Sequence, residues 1–107
     1  MEAWNTEDPD LRLSLLNESW VNDGLWLVDG IERPLIGTQQ LAAFIGDAIV
    51  MAGTGHRTEV VGGVAAHSSC ALVPWRTTAP DGTVVLEGRN FFEFEDGLIR
   101  RMVGFVS

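Results

Sequence analysis

Three long stretches near the C-terminus leave this chain little choice of architecture. Cys70–Thr78, Thr83–Phe94 and Leu98–Val106 are each rich in β-branched, aromatic and other apolar residues. Only Ala79-Pro80-Asp81-Gly82 and Glu95-Asp96-Gly97 separate them. Connections this short fold a strand back beside its neighbour, whereas a parallel return needs a dozen residues or more. An antiparallel meander is therefore predicted. Arg57–Val64 reads as a further strand, with Gly62-Gly63 marking a bulge or strong bend, and Ala66–Ser69 reads as a turn. Pro74 lacks an N–H, which argues for an edge or bulged position.

The first half reads differently. Asp8 before Pro9 is a helix start, since Asp can cap and Pro suits the first turn. Leu13, Leu16 and Trp20 fall on one helical stripe, and Asn22-Asp23-Gly24 offers a glycine C-cap. Leu25–Asp29 is a short strand candidate, with Leu25, Leu27 and Asp29 on one face and Trp26 and Val28 on the other. Residues 30–37 read as a loop. A second helix is predicted from Thr38 to Met51, with Leu41, Phe44, Ile45 and Ala48 inward and Gly53-Thr54-Gly55 as its stop. Helices followed by strands imply an α+β fold with the helices covering one face of the sheet. The 107 residues suit a single domain over 1–107.

Charge and composition exclude several roles. The net charge is -8, with 15 acidic against 7 basic residues, so nucleic acid and anionic membrane surfaces are not expected partners. Cys70 is alone, which rules out an intrachain disulfide and fits a buried small hydrophobe. No apolar run nears the ~20 residues that span a bilayer, and no basic-then-apolar leader is seen, so a cytoplasmic protein is expected. Two histidines, His56 and His67, without a metal-ligand spacing give no reason to expect a metal, and no nucleotide-binding fingerprint points to a cofactor.

One polar residue carries the functional question. In Thr83–Phe94, a period of two places Asn90 with Val84, Leu86, Gly88, Phe92 and Phe94. A buried carboxamide must find partners. It either ties two strands together or lines a pocket. Asp29 poses the same choice: it opens the Asp29-Gly30 turn in solvent, or it faces the pocket, where desolvation would raise its pKa as a general base requires.

The motifs Trp20-Val21-Asn22-Asp23-Gly24, Val28-Asp29, Ile36-Gly37, Gly55-His56-Arg57, Ala79-Pro80-Asp81-Gly82 and Phe92-x-Phe94-x-x-Gly97 resemble the SnoaL-like branch of the nuclear transport factor 2-like superfamily. The resemblance covers nearly the whole chain. It implies a cone-shaped α+β roll, with N-terminal helices packed on a strongly curved, mostly antiparallel sheet around a pocket for a small lipophilic ligand. By similarity to ketosteroid isomerases, it implies Asp29 as the base and Asn90 as the oxyanion donor. The tyrosine hydroxyl of those isomerases has no counterpart, because the chain has no Tyr. His56, in a loop placed near the pocket mouth, is a further acid–base candidate beside its reading as a surface histidine. Trp20, Trp75, Phe44, Phe92 and Met102 are the expected pocket lining. Trp26, opposite Asp29 on its strand, would share the pocket only if the strand were bulged. The outer sheet face, with Val61, Val85, Phe91 and Val103, is expected to pack against a second copy in a homodimer. The resemblance leaves two alternatives to isomerase- or cyclase-like proton transfer. One is a non-catalytic ligand-binding or dimerisation module. The other is a diverged epoxide hydrolase-like enzyme, which would need an inward arginine such as Arg76 between acids.

Overall fold

Asp8 starts the longer N-terminal helix. In the computed structural model, which describes residues 2–53 and 55–107, its Oδ1 accepts the N–H groups of Asp10 and Leu11 at 3.0 and 3.3 Å. The helical layer comprises α1 (Glu2–Asn5), α2 (Pro9–Ser19) and α3 (Thr38–Ala52). Leu16, Leu41 and Ile45 are its buried anchors. Thr54, part of the expected stop of α3, lies outside the described residues.

Seven strands follow the order β1 (Trp20–Val28), β2 (Leu35–Ile36), β3 (Arg57–Val60), β4 (Ala65–His67), β5 (Cys70–Thr78), β6 (Val84–Glu95) and β7 (Leu98–Val106). They form one sheet in the order β2-β1-β7-β6-β5-β3, with β4 also on β5. The meander β5-β6-β7 is antiparallel, as its turns dictate. In the first turn Gly82 N donates to Ala79 O and Ala79 N to Thr83 O. Pro74 occupies the gap on β5 between its pairing with β4 and its pairing with β3, and there only its carbonyl is used, by Val61 N.

The strongly curved cone expected above is corrected by this topology. β1 lies parallel to β7, which makes the sheet mixed. The sheet is open, ending at β2 on one side and β3 on the other, and it is neither closed nor strongly curved. The glycines that suggested bending serve other ends. Gly62 and Gly63 lie in the connection between β3 and β4, not inside a strand. Gly88 is buried in mid-strand, where a Cβ would lie 2.0 Å from Phe105 O and 2.7 Å from Trp75 Cζ2.

Trp20 is a second correction. The stripe Leu13-Leu16-Trp20 predicts a helix running through it, but α2 stops at Ser19 and Trp20 begins β1. Its N–H still donates to Leu16 O, while it pairs with Ile99 of β7. Strand pairing decides the local choice that periodicity left to the helix. Asn22-Asp23-Gly24 therefore lies within β1, where the register with β7 shifts between Trp20 and Leu25.

The two faces of the sheet differ. Trp26, Met102, Phe92 and Ala71 stand in register across four strands on the helix-covered face. Leu27, Val103, Phe91 and Leu72 stand in register across the same strands on the other face, which none of the described helices covers. Ion pairs flank that row, Arg101 with Glu93 at 2.7 Å and Arg76 with Glu59 at 3.3 Å.

Candidate functional site

Between the helical layer and the sheet lies a recess of about 190 Å³. Three aromatic rings from three elements shape one side. Trp4 of α1 meets Trp26 of β1 edge to face at 5.5 Å, and Trp26 meets Phe44 of α3 in the same way at 5.2 Å. Val28, Ala48, Leu86 and Val106 add apolar surface. Such edge-to-face pairs are a favourable arrangement of ring quadrupoles.

The opposite wall is built on a missing side chain. Gly88 pairs with Trp75 across β5 and β6, and the indole occupies the space a side chain would need. From there Trp75 Nε1 donates to Asn90 Oδ1 at 3.0 Å. An indole N–H can only donate, so the atom it meets must be the carboxamide oxygen. The amide's orientation is thereby set, and Nδ2 remains as its donor end. Asn90 is 8% exposed.

Asp29 sits at the rim. It follows the last residue of β1, its N–H donates to Gly104 O, and its Oδ2 accepts the N–H of Val106 at 3.2 Å. The alternation of β1 ends at Val28, so Trp26 and Asp29 both border the recess although strict period two would separate them. Asp29 is exposed, unlike Asn90. The remaining polar groups form a pair: Thr58 Oγ1 and Thr77 Oγ1 lie 2.7 Å apart. The side chain of Asn5 braces Thr58, donating to its O and accepting from its N, each at 2.8 Å.

Of the residues singled out in the sequence, Asp29, Asn90, Phe44 and Trp75 come together around this recess. Trp20, Phe92 and Met102 line a neighbouring one of about 240 Å³, which shares Trp4, Trp26 and Asn90 with the first. His56 stands apart, beside Asn5, Thr6 and Ile49, with Nδ1 3.2 Å from Gly53 O. Arg76 is on the face of β5 opposite Trp75, paired with Glu59, and gives no inward arginine for an epoxide hydrolase-like relay. Among the described residues no group of three or more His, Cys, Asp or Glu side chains could hold a metal ion. No described helix is long and apolar enough to cross a membrane.

Trp4 and the Thr58–Thr77 pair are among the lining residues that the sequence did not indicate, and Trp26, expected there only if its strand were bulged, borders the recess as well. Trp4 lies in a polar segment with no periodic signal. The two threonines meet only through the β3–β5 register. Trp26 carries a further oddity: it is 4% exposed, and its Nε1 has no acceptor among the described residues. A buried donor left unpaired costs about 1–3 kcal/mol.

The sequence matches the SnoaL-like domain over residues 1–102. Solved structures agree. A provisionally assigned isomerase of the SnoaL-like family from Agrobacterium tumefaciens is 28% identical, with a TM-score of 0.89 over 98% of this chain and 88% of that one. A provisionally assigned SnoaL-like polyketide cyclase from Jannaschia is 17% identical, with a TM-score of 0.74 over 92% and 74%. A provisionally assigned ketosteroid isomerase from Kribbella flavida is 19% identical, with a TM-score of 0.73 over 99% and 70%. The last two share the fold alone. No protein of curated function matches.

Proposed function

The chain belongs to the SnoaL-like domain family, and on that premise we propose that its first recess binds a small lipophilic carbonyl compound and moves a proton on it. Asp29 is the base and Asn90 Nδ2 the donor to the carbonyl oxygen. The observation that carries this reading is that a carboxylate and an oriented, buried carboxamide border one recess whose other walls are mainly apolar. A few polar groups in a mainly apolar cleft are the usual form of a small-molecule site. An amide needs no raised pKa to donate, so Asn90 can stabilise a developing oxyanion at any ordinary pH. The size fits too: an apolar cavity of ~150 Å³ accepts benzene, so about 190 Å³ takes one ring, with the rest of the ligand toward the mouth.

The test begins with native mass spectrometry against small cyclic ketones. Proton transfer is then read as exchange of α-protons for deuterium by NMR, in wild type and in Asp29→Asn. Binding with exchange that disappears in the variant is expected. Exchange that persists unchanged would remove Asp29 from the role.

A non-catalytic binding module is the second reading, favoured by one observation: Asp29 is exposed and already engaged by the Val106 N–H. Ligand binding without any α-proton exchange would select it. In either case the uncovered row Leu27, Val103, Phe91 and Leu72 supports a homodimer packed sheet to sheet. Light scattering at micromolar protein would reveal it, and a monomeric mass would exclude it.

A further inference from the structure

Gly104 marks a narrow notch in the recess wall, tight even for a methyl group. A Cβ built on it would lie 3.3 Å from Trp26 Nε1 and 3.3 Å from Asn90 Oδ1, with Leu27 O next at 3.8 Å. The first of these atoms is a buried donor without an acceptor. The second is a carbonyl-type oxygen with two lone pairs, of which Trp75 uses one. A donor in want of an acceptor and an acceptor with a free lone pair thus flank one spot beside Gly104, and Gly104 itself borders the recess.

From this juxtaposition we propose that the notch is a hydroxyl-recognition point and that Trp26 sets ligand specificity there. The chemistry is complementary to a group that both accepts and donates, and a neutral O–H is the form that suits an apolar recess. The ligand oxygen accepts from Trp26 Nε1–H, and its hydrogen is donated to Asn90 Oδ1. An ether oxygen can make only the first bond and is repelled by Oδ1. A methyl group makes neither and leaves the indole N–H unpaired. The proposal rests on the reading of the recess as a small-molecule site. It adds the class of ligand, a lipophilic alcohol, phenol or enol, and leaves Asn90 Nδ2 available for a second oxygen.

Phenol, anisole and toluene test this, because each carries the one ring the recess accommodates. Binding is read as shifts of the tryptophan indole ¹H–¹⁵N resonances, with that of Trp26 assigned by its loss in Trp26→Phe. Phenol is expected to bind about tenfold more tightly than toluene, the scale of a buried hydrogen bond and its unmade alternative. Anisole should gain little over toluene, and phenol alone should move the Trp26 resonance downfield. In Trp26→Phe the preference for phenol should vanish while toluene still binds, which also shows that the variant is folded. Gly104→Ala, which fills the notch, should abolish the preference in the same way. Equal affinity for phenol and toluene in the wild type, with an unmoved Trp26 resonance, overturns the hydroxyl site and leaves the recess intact as a ligand site. Failure of all three probes to bind overturns both. A phenol preference in a protein that performs no proton exchange upholds the hydroxyl site while removing the catalytic reading.

Discussion

Trp75 and Asn90 stand on adjacent strands, and the indole N–H of the first donates to Oδ1 of the second at 3.0 Å. The bond makes a core-facing carboxamide tolerable and fixes Nδ2 as its donor end. If it couples the two residues, their substitutions should not add. Asn90→Leu leaves the indole N–H without its acceptor and is expected to cost about 1–3 kcal/mol. Trp75→Phe/Asn90→Leu should cost less than the sum of the single changes, by about 1 kcal/mol. Urea unfolding of the four proteins checks this.

Gly88 is expected to be among the least replaceable residues of the sheet. The atom nearest a new methyl group would be a backbone oxygen, Phe105 O at 2.0 Å, which no side-chain rotation can move away. Gly88→Ala should therefore lose about 3 kcal/mol or more. It should also shift the Trp75 indole resonance, since the ring is its second neighbour. A urea midpoint within error of wild type would contradict this.

Asp29→Asn should separate stability from chemistry. The amide oxygen can still accept the Val106 N–H, so the unfolding free energy should move by less than about 0.5 kcal/mol. If Asp29 is the base, α-proton exchange should fall about a hundred- to ten-thousand-fold while ligand affinity holds. Parallel urea and exchange measurements on one preparation give both numbers.

Asp81 supplies a pH prediction. The backbone N–H of Thr83 donates to its Oδ1 at 2.9 Å and, with the Thr83 side chain, holds its carboxyl below the usual value of 3.8. A carboxyl depressed in the folded state stabilises it fully above the unfolded value, and that contribution is lost as pH falls through the lower folded value. The β5–β6 turn should thus loosen only in acid below pH 3.8, and Asp81→Ala should flatten that part of the stability profile. NMR titration of the Asp81 carboxyl, with urea midpoints across the acid range, tests both points.

The sequence showed the meander plainly because its signals are local. β5 and β7 have the predicted bounds, and the Asp8-Pro9 start and the 79–82 turn form through neighbours in the chain. What stayed hidden depended on partners far away. Nothing near Trp20 announces that Ile99 will pair with it and end the helix at Ser19, short of the expected cap at Asn22-Asp23-Gly24. The parallel β1–β7 contact, and with it the open mixed sheet, joins segments from opposite ends of the chain. The site shows the same division. Asn90 stands out as a polar residue on an apolar face, but period two put Trp26 and Asp29 on opposite sides because it cannot see where a strand stops. Arg12 is a further case. It is buried, with Nη2 donating to Thr6 O and Nη1 in space that Gly46 of the distant α3 leaves free.

Because β1 finds its long neighbour only in β7, one wall of the recess is assembled from residues 76 positions apart, Val28 beside Gly104, with Trp26 two residues before Val28. Contacts of such sequence separation carry the largest loop-closure cost and form late. During synthesis or refolding, the indole of Trp26 must wait for the final strand before its surroundings exist. The capacity to bind is therefore expected to be acquired last and all at once. A refolding trace in which ligand affinity returns before the amides of β7 gain protection from exchange would contradict that order. Slow docking of this single strand would also set how long the apolar inner face stays available for misassociation.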